Sequence, residues 1–334
     1  VFYTLAMGML LGSLLGIQVG ALTTKVVKGI HIRGFYAMSI IAGFITALLG
    51  GSRVQVAGPT AAFIVVLAPL YVKFGLAGLL MSGLLAGLML IGMGLLRMGR
   101  LIEFIPFPVT TGFTSGIATV IAVLQVKDLL GLRLDHLPDH FMERIWAMGR
   151  AWHTVSPWEL LISLGTLAIL LVPRLPKRRL VRLPKVLRKV PAPLLALPLA
   201  ALAAWLLGRW IPGFSVDTIG SRFHTVVNGQ TVAGIPQVLP AFLWPWSAPG
   251  ADGQAMGLSL GTVRMLLPSA FAVAMLGAIE SLLSAVVADG MARTRHDPDA
   301  ELLALGVGNF VAPFFGGIPA TGAIARTATN FRFG

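Results

Sequence analysis

The sequence contains no cysteine, which excludes a disulfide framework, a thiolate metal site and a cysteine nucleophile. Charge is scarce as well. Asp, Glu, Lys and Arg make up 12% of the 334 residues, where a soluble domain carries about 25%. Hydrophobic residues fill 56%, against roughly 45–50% in soluble domains. So much apolar surface cannot be hidden in one aqueous core, so the chain belongs in a membrane. A basic leader is also lacking. The first apolar stretch, 1–23, is long enough to span and has no basic region ahead of it. No cleavable signal is therefore read, and the start is expected to be internal to a longer gene product. The net charge of +13 raises nucleic acid as a partner, but the excess sits in short runs between apolar segments. Loops facing an anionic cytoplasmic leaflet are built that way, and no nucleic-acid partner is expected.

A spanning helix needs roughly 20 predominantly apolar residues. Candidates run approximately over 1–22, 34–50, 60–72, 76–96, 104–126, 157–173, 191–210, 262–288, 301–315 and 318–332. Three of them, beginning at Thr60, Glu301 and Ile318, are too short to cross alone. Short or Gly/Pro-interrupted apolar segments mark transporter binding sites, and two of the three open on proline, at Pro59 and Pro319. The basic run 174–189 carries no acid and is expected to be cytoplasmic. Counting outward from it puts Arg53, Arg97, Arg100, Arg293 and Arg295 inside, and 127–156 and 210–261 outside. Lys25, Lys28 and Arg33 then lie outside, against the rule. Residues 139–146 form a candidate surface helix.

Several motifs fail on context. Gly257-Leu258-Ser259-Leu260-Gly261 matches the serine-hydrolase elbow, which works only on a strand-to-helix turn with a histidine and an acid nearby; here it leads into a membrane helix. His136 and His140 are separated by Pro138 and have no third ligand at zinc-like spacing. No metal, cofactor or enzyme activity is expected. Gly83, Gly87, Gly92 and Gly94 suit close helix packing in lipid.

Ionisable groups inside apolar spans are costly, and each is a functional candidate. Glu280 sits close to the middle of 266–288. A carboxylate there is balanced between the neutral form favoured by desolvation and the charged form favoured by a cation or helix N-terminus. It is thus a candidate to carry a proton or hold a sodium ion. Ser284, one turn on, is a candidate oxygen ligand, with helix packing as the alternative. Broken helices offer unpaired N–H groups and a positive dipole end to an anion. Thr60, Ala61 and Ala62 are candidate donors on one side, and Ala320, Thr321 and Gly322 on the other. Arg326, about one turn further, adds a full charge or else snorkels as an anchor.

Four stretches carry a family resemblance: 50–60 (GGSRVQVAGPT), 106–116 (PFPVTTGFTSG), 277–283 (GAIESLL) and 316–327 (GGIPATGAIART). They resemble the signatures of SulP sulfate permeases and their animal anion-exchanger relatives, over about 33–332. The resemblance implies an all-α integral membrane fold of fourteen segments in two inverted repeats of seven, divided into a core and a gate. By it, the third and tenth segments are the half-helices at Thr60 and Ile318, and the eighth carries the coupling acid Glu280. The first repeat would occupy about 1–210, and the second would begin at about 262–334. The last four helices and the cytoplasmic STAS domain usual in the family would lie beyond the chain. The segment 1–23 departs from the family's usual first helix, so no binding residue is carried over from it.

The expected function is secondary active transport of a small anion such as sulfate, bicarbonate or a C4-dicarboxylate. Coupling would be to a proton or sodium ion, in a multi-pass protein of the cell inner membrane. The resemblance implies a homodimer. A passive anion channel and a non-transporting membrane scaffold are the rival classes.

Overall fold

The computed structural model describes residues 41–58, 60–100, 107–134, 138, 141–171, 192–222, 224–227, 230–233 and 241–333. The candidate segment 1–22, Lys25, Lys28, Arg33, Pro59, His136, His140 and the basic run 174–189 lie outside them. In chain order the principal helices are α1 (Gly43–Leu49), α2 (Ala61–Leu95), α3 (Phe107–Leu130), α4 (Phe141–Arg150), α5 (Pro157–Leu171), α6 (Ala192–Trp210), α7 (Leu260–Ala292), α8 (Pro298–Val311) and α9 (Ile324–Phe333). Short strands β1 (Ala57–Gly58), β2 (His224–Val227), β3 (Gln230–Ala233) and β4 (Thr321–Gly322) complete the pattern. They form two antiparallel pairs, β1 with β4 and β2 with β3. α7 is long and apolar enough to cross a membrane, as is Val66–Leu95 within α2.

α2 is broken where the sequence predicts, between 72 and 76. Gly75 has φ 68° and ψ −164°, a left-handed conformation that glycine alone adopts at little cost. The backbone of Gly250 and Ala251 abuts it so closely that a Cβ has no room. The N–H of Ala77, freed by the break, donates to the Pro249 carbonyl at 3.0 Å. What results is a half-helix over 61–74 followed by a longer helix over 76–95.

Chain contacts define two compact units, Val1–Gly112 with Phe223–Gly334, and Phe113–Arg222. In the first, α2 packs against α8 through glycines. A Cβ on Gly87 would lie 2.5 Å from the Phe310 nitrogen, one on Gly94 2.9 Å from that of Leu303, and one on Gly306 2.6 Å from that of Ile91. Small residues let helix backbones approach in this way where lipid supplies no hydrophobic drive. Gly92, with nothing within 4 Å of its notional Cβ, takes no part. Around this seam Leu80, Leu90, Leu302 and Leu305 are fully buried. In the second unit, α5 and α6 pack on each other, and Trp158 meets Phe214 with ring centroids 5.4 Å apart.

Two boundaries differ from expectation. α8 starts at Pro298 rather than Glu301, because Asp297 caps it by accepting from the N–H groups of Asp299 and Ala300, with proline at its favoured first position. α9 starts at Ile324 rather than Ile318. Residues 321–322 are extended and pair with β1, Ala57 opposite Gly322 and Gly58 opposite Thr321. Inside a bilayer every backbone polar group needs a partner, and these two non-helical stretches supply one another. Ser259 of the hydrolase-like motif is the N-cap of α7, accepting from Thr262 N–H at 3.0 Å, which is a helix-capping role.

Candidate functional site

The β1–β4 pair is buried in the first unit. β1 leads into α2 and antiparallel β4 leads into α9, so the N-termini of both helices lie beside the pair. The opening N–H groups of each have no acceptor within their own helix. On α2 these belong to Ala61, Ala62 and Phe63. On α9 they belong to Ile324, Ala325 and Arg326, whereas the candidate donors Ala320, Thr321 and Gly322 precede the helix. The Ala320 N–H is committed to the Asn309 side-chain oxygen at 2.6 Å, and the Ala323 N–H to the Val56 carbonyl at 3.0 Å. The Thr321 hydroxyl donates to the Gly277 carbonyl of α7 at 3.0 Å, and Gly322 lies in the strand pair.

Three side chains predicted from sequence converge here. Thr60 precedes α2 in an extended conformation, and its hydroxyl does not cap the helix. It donates instead to the Glu280 carboxylate of α7 at 3.1 Å. Arg326 Nη1 is buried without a hydrogen-bond partner, and a Cβ on Gly58 would lie 2.7 Å from it. A guanidinium presents five donors and no acceptor, so a buried unpartnered nitrogen beside two helix N-termini is suited to receive an anion. Ser284 is placed otherwise. Its hydroxyl is fully buried against that of Thr327 in α9, 3.1 Å away, and Thr327 also accepts from Val56 N–H at 3.1 Å. Ser284 therefore ties α7 to the second half-helix, as the packing alternative describes.

The sequence reading missed several buried polar groups that position this site. Asn309 of α8 clamps Ala320 on both sides, also donating to its carbonyl at 2.9 Å. Gln55 donates to the carbonyl and hydroxyl of Ser281 at 3.1 and 2.7 Å. The Ser281 hydroxyl donates to Glu301 at 3.3 Å, and Glu301 also accepts from Ser52 N–H at 3.2 Å. Glu301 is 2% exposed. It opens a short segment next to Asp297 and Asp299, so in the sequence it reads as part of an acidic helix start. Asn309, a lone amide in an apolar run, left the better signal.

Helices that start at a pair of extended strands, with a carboxylate and a guanidinium beside them, form a broken-helix arrangement of the kind that membrane transporters use. The model of the sulfate permease family matches residues 9–334, and the chain belongs to that family. A Bacillus subtilis protein named "Putative sulfate transporter YvdB" is 37% identical over 301 residues, covering 90% of this chain and 50% of that protein. The solved transmembrane domain of a cyanobacterial bicarbonate transporter, BicA, superposes with a TM-score of 0.73 at 26% identity, over 100% of this chain and 77% of that one. Murine Slc26a9, an anion transporter solved in the inward-facing state, shares the fold with a TM-score of 0.70 at 16% identity, over 99% of this chain and 53% of that one. The chain spans about half the length of the curated relatives it matches.

Proposed function

We propose that this chain is the anion-carrying part of a secondary active transporter, in which a small oxyanion sits between the starts of α2 and α9. The unpartnered Arg326 nitrogen beside Gly58 carries this reading. A buried cation donor without an acceptor is costly unless something supplies one. Ala61 and Ala62 donate from one helix start, the first-turn amides of α9 from the other, and both dipoles favour negative charge. Ala320, Thr321 and Gly322 hold the crossing in place through their committed bonds. Sulfate and bicarbonate are the leading substrates, since the relatives' names point to both; a C4-dicarboxylate is the third.

Glu280 is the coupling group in this proposal. Bonded to Thr60 at the mouth of α2, it repels an anion when charged and admits one when protonated or paired with sodium, which links the two fluxes. The same carboxylate makes a passive anion channel the poorer reading. The two compact units correspond to the core and gate expected of an inverted-repeat transporter, with the whole site in the first. In this reading the protein works in the cell inner membrane as a homodimer, as the family resemblance implies.

The test is uptake of labelled sulfate, bicarbonate and fumarate by proteoliposomes of the protein carrying this chain, under imposed proton or sodium gradients. Concentrative, gradient-driven uptake that Glu280→Gln abolishes is expected. Uptake that only follows the anion's own gradient would overturn the coupled mechanism, and no saturable uptake would overturn transport.

A further inference from the structure

The candidate surface helix is the feature that transport leaves unused. α4 runs over Phe141–Arg150 and continues into a short turn, Ala151–Thr154. Met142, Ile145 and Trp146 are 62%, 41% and 70% exposed, and Trp152 on the turn is 66% exposed. Residues three and four apart share a helix face, so the first three lie together on the outward side, with Glu143 and Arg150 along one flank of it next to Trp146. Met148 and Ala151 are buried, which fixes the rotation of the helix on its own unit.

Its height is fixed as well. The Ser156 N–H donates to the Leu130 carbonyl at the end of α3, and the Arg133 N–H to the Thr154 hydroxyl, both at 3.0 Å. α4 is therefore held at the membrane face where α3 ends and α5 begins. The α4 segment and α5 are bent from one another by 112°, so with the span expected over 157–173 upright in the bilayer α4 lies close to the membrane plane. Just past the bend, α5 exposes Leu161, Leu164 and Leu167, an apolar surface of the kind that faces lipid. Aromatic residues, tryptophan above all, favour the boundary between headgroups and acyl chains.

We infer that α4 and its turn are a lipid-docking element: Met142, Ile145, Trp146 and Trp152 enter the headgroup–acyl boundary and set the depth of the second unit. The leaflet is the outer one, because the far end of α5 leads to the basic run 174–189. This inference does not depend on the anion site.

The cysteine-free sequence suits single-cysteine spin labelling, with any cysteine elsewhere in the full protein replaced. Labels at 142, 143, 145, 146, 147 and 150, in phosphatidylcholine vesicles, are compared for collision with oxygen, which partitions into lipid, and with a nickel chelate, which stays in water. Labels at 142, 145 and 146 are expected to favour oxygen several-fold over those at 143 and 150 on the polar flank, where access by the chelate rises. Chelate access at all positions would place α4 in water. Exclusion of both reagents at 142, 145 and 146 would mean that protein covers that side. Either result overturns the inference, and uptake by each labelled protein shows that it is folded.

Discussion

Gly58 and Arg326 make the site's chemistry dependent on a missing side chain. A methyl group at position 58 would come 2.7 Å from Arg326 Nη1, closer than nonbonded atoms tolerate, so Gly58→Ala must move the guanidinium. A displaced charge-assisted donor weakens binding by about 1.5–3 kcal/mol, roughly tenfold or more in Kd. Calorimetric titration of the favoured anion checks this; the melting temperature should fall as well, because Gly58 sits at φ 157°, where a Cβ strains the backbone. Glu301 behaves in the opposite sense. Glu301→Ala strips the half-buried Ser52 N–H and the buried Ser281 hydroxyl of their acceptor, costing about 1–3 kcal/mol for the buried hydroxyl and less for the amide. Glu301→Gln keeps one acceptor oxygen. The melting temperature of the alanine variant should fall well below that of the glutamine variant.

At the scale of the element, the glycine seam separates positions that look alike in sequence. Gly87 faces backbone atoms of α8, whereas Gly92 faces open space. Gly87→Ala should cost about 1–3 kcal/mol through overpacking. Gly92→Ala should be neutral or stabilise by about 0.5–1 kcal/mol from helix propensity, and thermal unfolding of the two variants in detergent reads the difference. This contrast also shows where sequence reading stops. Apolar run length located the helices and the break near Gly75, since both are local properties of the chain. The two-residue strands have no periodicity to detect, and their partners are remote in sequence, as are Val56 and Thr327, 271 positions apart. The start of α9 was therefore placed six residues early, at Ile318. Thr60, Glu280 and Arg326 were legible because polar groups in apolar spans are rare. Gln55 and Ser281 were not, because their role exists only once α7 lies beside β1.

At the scale of the molecule, Thr60, Glu280 and Arg326 all belong to the first unit, Val1–Gly112 with Phe223–Gly334. A site contained in one rigid body can be carried without being dismantled. The β1–β4 pair, the Asn309 clamp and the Ser284–Thr327 contact all resist its opening from within. In the proposed transporter, alternating access would then require movement of one unit against the other, with internal distances conserved. Spin labels at Leu96 and Leu260, both exposed in the first unit, report on its rigidity; a label at Leu171, exposed in the second, reports on relative movement when paired with either. Under gradients that favour opposite orientations, the Leu96–Leu260 distance distribution should stay fixed while the distributions to Leu171 shift by several ångström, a size typical of rigid-body domain motions. A shift confined to the Leu96–Leu260 pair would mean that the first unit itself opens, and the strand crossing would then be a gate rather than a carried site.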